Sequence, residues 1–152
     1  MKIVIMGCGR VGAALATELS AEGNDVLVLD TDPSAFRFLP ETFTGKTHVG
    51  NGLDIDVLEK VRLREADAFV SATRGDNRNV MAAQMAKHMF GVKVVASRVF
   101  DPLREEMYRN MGLRTINPTR VQAKRLKRVL EAPTDEAANE IVAEFMRQED
   151  VV

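Results

Sequence analysis

Short strand patterns and helical patterns alternate six times over roughly the first 117 of the 152 residues, and that alternation constrains the fold more than any other feature. Lys2 to Met6 (KIVIM) is a short apolar run of the kind that forms a strand buried on both faces. Arg10 to Glu22 then shows helical spacing, with Val11, Leu15 and Leu19 on one face and Gly23 as the stop. Further strands are expected at Asp25–Asp30, Thr44–Val49, Ala68–Ala72, Val92–Ser97 and Leu113–Ile116. Between them lie a short helix at Pro33–Leu39, a second at Leu53–Val61, and longer ones at Asp76–Phe90 and Asp101–Met111. Strands that regularly alternate with helices form a parallel sheet covered on both faces. Right-handed crossovers then give a doubly wound, Rossmann-like α/β sheet of order 3-2-1-4-5-6.

Two helical patterns follow the sheet. Pro118 to Leu130 (PTRVQAKRLKRVL) carries Val121, Leu126, Val129 and Leu130 among Arg120, Lys124, Arg125, Lys127 and Arg128. Pro133 and Thr134 interrupt the pattern, and Ala138, Ile141, Val142, Phe145 and Met146 then recur at helical spacing among acidic residues. The expected division is a nucleotide-binding domain over residues 1–131, which includes the basic helix, and a helical tail over 132–152. Opposite charge on the two helices allows them to pair within one chain or between two. A pair of solvated amphipathic helices explains the pattern equally well.

The loop after the first strand reads GCGRVG, so Gly7, Gly9 and Gly12 fit the G-x-G-x-x-G dinucleotide fingerprint. Alone the motif is weak, but here it leaves a strand and opens a helix. Gly7 can make the turn, Gly9 admits a pyrophosphate, and Gly12 lets the helix sit close to the sheet. Free N–H groups and the positive dipole end favour phosphate there. Cys8 and Val11 complete the loop with Arg10, which adds a fixed cation. Arg10 can serve a terminal phosphate of ADP or ATP as readily as the bridging pair of NAD. Asp30 ends the second strand, where its carboxylate can accept from ribose hydroxyls and repel a 2′-phosphate, with Thr31 beside it. Asn51 and Gly52, after the third strand, can border the adenine. Ala72, Thr73 and Arg74 after the fourth strand, Asn77 at the start of the next helix, and Arg98 at the end of the fifth strand are further ribose or phosphate contacts. Structural turns and caps explain these last segments as readily.

Other classes fit less well. Acidic and basic side chains nearly cancel, at 22 against 21, which gives no overall bias towards nucleic acid or a membrane surface. No apolar run approaches the ~20 residues of a membrane-spanning helix. The single cysteine excludes a disulfide framework, no metal-ligand cluster is visible, and a soluble cytoplasmic domain is expected. Cys8 can be activated by a helix N-terminus or can simply be a small residue that a tight loop tolerates. His48 and His88 have no carboxylate at a useful spacing and read as core or surface residues. The stripe Met81, Met85, Met89 reads as core or subunit contact. The roughly thirty-five residues after the sixth strand are too few for a typical substrate domain. A small NAD-dependent oxidoreductase and a stand-alone nucleotide sensor therefore remain as alternatives to a regulatory module.

Several ordered blocks resemble the nucleotide-binding half of the Trk/Ktr family of potassium-transport regulators, the RCK or TrkA N-terminal domain. They are GCGRVG at 7–12, LD at 29–30, GNGLD at 50–54, ADAFVSATRGDNRNVMAAQMAKHMFGV at 66–92 and SRVFDPLREEMYRNMG at 97–112. The resemblance implies a non-catalytic, cytosolic regulatory subunit that binds NAD(H) or ATP/ADP above the glycine loop. It implies a homodimer or larger ring at the inner face of the membrane, reached through a membrane potassium transporter subunit, with residues 118–131 as a crossover helix. Nucleic acid is not an expected partner. Asn51 stands where the family often carries an acidic residue. The tail does not resemble the start of the family's C-terminal ligand-binding half, so a shortened form is expected.

Overall fold

A computed structural model describes residues 1–149. Six parallel strands form one sheet: β1 (Lys2–Met6), β2 (Asp25–Asp30), β3 (Lys46–Val49), β4 (Ala68–Ser71), β5 (Val94–Arg98) and β6 (Arg114–Ile116). Their order is β3-β2-β1-β4-β5-β6, as the alternation requires. The register places Val4 opposite Leu27 on one side and Phe69 on the other. Helices α1 (Arg10–Ala21), α2 (Ile55–Lys60), α3 (Asp76–His88) and α4 (Pro102–Asn110) connect the strands. The segment after β2 is a 3-10 turn over Pro33–Phe38 rather than an α-helix; Asp32 caps it by accepting from the Ser34 N–H, with Pro33 in its first turn.

Alternation along β1 divides the core. Ile3 and Ile5 pack with Val26, Val28, Ala13 and Ala16 on one face. Val4 and Met6 pack with Leu29, Phe69, Val80 and Ala83 on the other. Successive strand residues point to opposite faces, so a strand covered on both sides must be apolar throughout.

The face that α1 buries is not its large apolar stripe. Gly12, Ala13, Ala16 and Ser20 are buried, while Leu15 and Leu19 pack at its flank and Val11 is 48% exposed. A Cβ on Gly12 would overlap the carbonyl oxygen of Gly7, so the helix lies too close to the sheet for anything larger. Of the methionine stripe only Met85 is buried; Met81 and Met89 are about half exposed.

The chain divides into two compact units, Met1–Ile116 and a second that begins at Asn117. The division between the compact units falls ahead of the basic helix. Within the second unit α5 (Pro118–Leu130) packs on α6 (Asp135–Glu149). Arg128 bonds Glu144 at 2.9 Å, and the guanidiniums of Arg125 and Arg128 lie about 5 Å over the Phe145 ring. The opposite charges of the two helices thus meet within one chain. Val121, Leu126, Leu130, Val142 and Met146 remain exposed.

Candidate functional site

Above the C-terminal ends of β1, β2 and β4, at the point where the strand order reverses, the first unit opens into a cleft of about 690 Å³. Open α/β sheets bind ligands at this position. The glycine loop forms its floor. Gly7 has φ +104°, and a Cβ there would lie 2.9 Å from the Thr73 nitrogen, so Gly7 is required by the backbone. Gly9 differs: its φ is −77°, and a Cβ there would meet nothing within 4 Å. The fold does not require glycine at that position, and the open space lies in the cleft beside the N-terminus of α1. No side chain caps that helix, whose first N–H groups have no carbonyl four residues back within the helix.

Asp30 forms one side. Its Oδ2 accepts from the Cys8 N–H at 2.7 Å and its Oδ1 from the Asp32 N–H at 3.0 Å. These bonds fix the carboxylate between the glycine loop and the turn after β2. Each carboxylate oxygen has a second lone-pair direction, which suits the two hydroxyls of a ribose. Burial, and secondarily the Asp30 charge, push the Cys8 thiol up to about 11. Cys8 is fully buried, and a neutral thiol is a poor nucleophile. The small-residue reading of Cys8 is the one the structure supports.

The opposite wall comes from β4, β5 and α3. Thr73, Arg74, Arg78, Arg98 and Phe100 line it. Arg98 donates from Nη2 to the Thr73 carbonyl oxygen at 2.8 Å, and its guanidinium lies 4.4 Å over the Phe100 ring. Its Nε–H is buried without a hydrogen-bond partner. Burial lowers the Arg98 pKa below the ordinary guanidinium value, and the Asp76 carboxylate opposes that shift. A buried donor left without a partner is a costly arrangement. Five arginines line the cleft (Arg10, Arg37, Arg74, Arg78 and Arg98) against two aspartates, Asp30 and Asp32. Such a site concentrates anions, and low-dielectric walls strengthen the effect.

Thirteen of the fifteen expected residues line this cleft: Gly7, Cys8, Gly9, Arg10, Val11, Asp30, Thr31, Asn51, Gly52, Ala72, Thr73, Arg74 and Arg98. Gly12 lies beneath the loop against Gly7, and Asn77 lies outside the lining. Its Oδ1 accepts from Arg104 at 3.2 Å and from the Tyr108 hydroxyl at 3.4 Å, so it ties α3 to α4. One residue advances a helix by about 100°, and it is the next side chain, Arg78, that reaches the cleft. The sequence reading also missed Asp32, Ala35, Arg37, Phe38 and Phe100, while Gly50, in the segment expected to border the adenine, does line the cleft. The signal of the missed residues was position: each lies just beyond the C-terminal end of β2 or β5. His48, on β3, and His88, at the end of α3, lie outside the cleft. Among the described residues no group of acidic, histidine or cysteine side chains is arranged to hold a metal, and no helix is long and apolar enough to cross a membrane.

The sequence pattern of the TrkA-N domain matches residues 3–118. A Trk system potassium uptake protein TrkA from Streptomyces coelicolor is 46% identical over 130 residues, which are 86% of this chain and 58% of that protein. The chain thus spans little more than half the length of this relative. Among solved structures, a Shewanella denitrificans Kef C-terminal domain in an AMP-bound form superposes with a TM-score of 0.73 at 21% identity, covering 99% of this chain and 93% of that one. The GsuK protein bound to ADP superposes with a TM-score of 0.69 at 18% identity, covering 97% and 41%. At these identities the two structures show a shared fold.

Proposed function

The chain belongs to the TrkA-N family, and we propose that it is the nucleotide-sensing regulatory part of a potassium uptake system of the Trk or Ktr type. The observation that carries the reading is the cleft itself. A helix N-terminus with an open Gly9, a fixed Asp30 carboxylate and five guanidiniums converge on one space above the switch point. A hydroxyl-bearing ribose at one end and phosphates at the other satisfy all three. The ligand is an adenine nucleotide, either NAD(H) or ATP/ADP. Neighbours of this fold that bind AMP and ADP, and a relative named for potassium uptake, support the choice. Gly9, Arg10 and Val11 hold the phosphates on a loop that Gly7 and Gly12 shape, with Cys8 contributing only its main chain. Asp30 and Thr31 hold the ribose, Asn51 and Gly52 border the base, and Ala72, Thr73, Arg74 and Arg98 form the far wall.

The role proposed for the cleft is binding rather than turnover. The protein acts in the cytoplasm, at the inner face of the membrane, through a membrane transporter subunit. It acts as a homodimer or larger ring, for which the exposed apolar residues of α5, the crossover helix, provide a surface. The nucleotide-binding region ends at residue 131, with α5 included. A ligand shifts such an assembly only by its differential affinity for two states. Potassium uptake by cells that depend on the cognate transporter tests the reading. A variant that cannot bind nucleotide should change the uptake rate at equal protein level. Unchanged uptake with the parent, the variant or no protein contradicts it.

A further inference from the structure

Between the ends of β4 and β5 lies a polar core whose central residue never reaches the cleft. Asn79, in the first turn of α3, is fully buried. Its Oδ1 accepts from the Thr73 N–H at 2.9 Å and from the Thr73 hydroxyl at 2.6 Å. Its Nδ2 donates to the carbonyl oxygens of Thr73 at 2.9 Å and Arg98 at 3.0 Å. A main-chain N–H only donates and a carbonyl only accepts, so the orientation of this amide is fixed. The main-chain carbonyl of Asn79 in turn accepts from the Ser71 hydroxyl at 2.8 Å, which lies 3.1 Å from Ser97 Oγ. One carboxamide therefore ties the end of β4 to the end of β5. The two residues it ties, Thr73 and Arg98, both line the cleft.

We propose that Asn79 is a positioning residue for anion binding: it presets Arg98 through the Arg98 main chain and through Thr73. The proposal rests on the nucleotide reading of the cleft. Arg98 bonds the same Thr73 carbonyl that Asn79 bonds and stacks on Phe100, whose N–H is held by Asp76 at 2.9 Å. The guanidinium is thus ordered before any ligand arrives, so a phosphate does not have to immobilise a long side chain on binding. Only an amide fits this role. A carboxylate in its place sets an oxygen against two carbonyl oxygens at 2.9–3.0 Å, which pushes the two strand ends apart.

Calorimetry with ADP and with adenosine on the parent, Asn79→Asp, Arg98→Ala and the double variant tests it. Asn79→Asp should weaken ADP about tenfold or more and adenosine by less than about twofold. In the Arg98→Ala background the same change should cost ADP less than about twofold, because the group it positions is gone. A purely structural role predicts equal losses for ADP and adenosine, or losses that multiply across the two sites; either overturns the proposal. If Asn79→Asp does not fold, Ser71→Ala leaves the carboxamide in place and removes the hydroxyl that holds the Asn79 main-chain carbonyl, together with its contact to Ser97. It should show the same dependence on Arg98, and an ADP affinity equal to the parent's overturns the proposal. Failure of the parent to bind ADP removes the reading of the cleft, and the proposal with it.

Discussion

Replacing Gly9 by Ala should separate binding from folding. The other two loop glycines are structural. Gly7 holds φ +104°, and a Cβ on Gly12 would strike the Gly7 carbonyl oxygen. Gly9 has an ordinary φ of −77° and open space where its Cβ would stand. For stability two small terms oppose. Alanine is a poorer residue than glycine at the start of a helix, by about 0.5–1 kcal/mol. Removing a glycine from the unfolded chain returns about 0.4–1 kcal/mol. The two nearly cancel, so the melting temperature of Gly9→Ala should stay within a few degrees of the parent's. For binding nothing cancels. The methyl group occupies the approach of a phosphate to the first N–H groups of α1 and removes at least one charged hydrogen bond. That loss is about 1.5–3 kcal/mol, or roughly 10–150-fold in affinity. Calorimetry with ADP and thermal melting on the same sample read both quantities. Gly12→Ala is the counterpart and should fail to fold or melt far lower. Parental ADP affinity in a folded Gly9→Ala protein refutes the assignment of the loop to phosphate.

Four further outcomes follow from the same geometry. Asp30→Ala should cost every ribose-bearing ligand about 1.5–3 kcal/mol in calorimetry, and the freed Cys8 and Asp32 N–H groups should lower the melting temperature as well. Arg10 is exposed at the cleft mouth; Arg10→Ala should weaken ATP and ADP much more than AMP if it serves a terminal phosphate, and NADH instead if it serves the bridging pair. Cys8 should resist alkylation at pH 8 until the protein is unfolded. Its thiol ionises near 9.0 in the unfolded chain and about 11 in the fold, so its contribution to stability is complete below pH 9 and is lost as pH rises towards 11; denaturant titrations of the parent against Cys8→Ala measure that loss. Sedimentation at roughly tens of micromolar should find a dimer or larger species, and a monomer at that concentration refutes the assembly.

The sheet order was legible because strands alternate with helices and the inner strands read as nearly continuous apolar runs, as in KIVIM and DVLVLD, whereas the edge strands β3 (KTHV) and β6 (RTI) are largely exposed and left a weaker signal. The closeness of α1 to the sheet was legible at Gly12 but not along the rest of the helix. The spacing of Val11, Leu15 and Leu19 marks a helix, yet the smaller residues beside them face the strands. Local pattern reports that a face exists; the distance between layers decides which face is used. The same limit separates Asn77 from Arg78. Sequence places both at the start of α3, and only the helix phase, set by Gly75 as the cap, decides which one enters the cleft. Asn79 was invisible for a related reason. A polar residue in a helical pattern reads as solvent-facing, and its partners lie at the ends of two strands, one of them nineteen residues away. The basic and acidic helices show the converse. Complementary charge allowed pairing within the chain or between chains, and the contact between Arg128 and Glu144 places one such pair within it.

The most direct test of the account is a calorimetric titration of the parent protein with adenosine, AMP, ADP, ATP and NADH at two salt concentrations. The account predicts one saturable site per chain for a nucleotide, with phosphorylated ligands bound more tightly than adenosine and weakened by salt, as charge-assisted phosphate contacts require. Adenosine bound as tightly as its phosphates, or no saturable binding of any of the five, contradicts it.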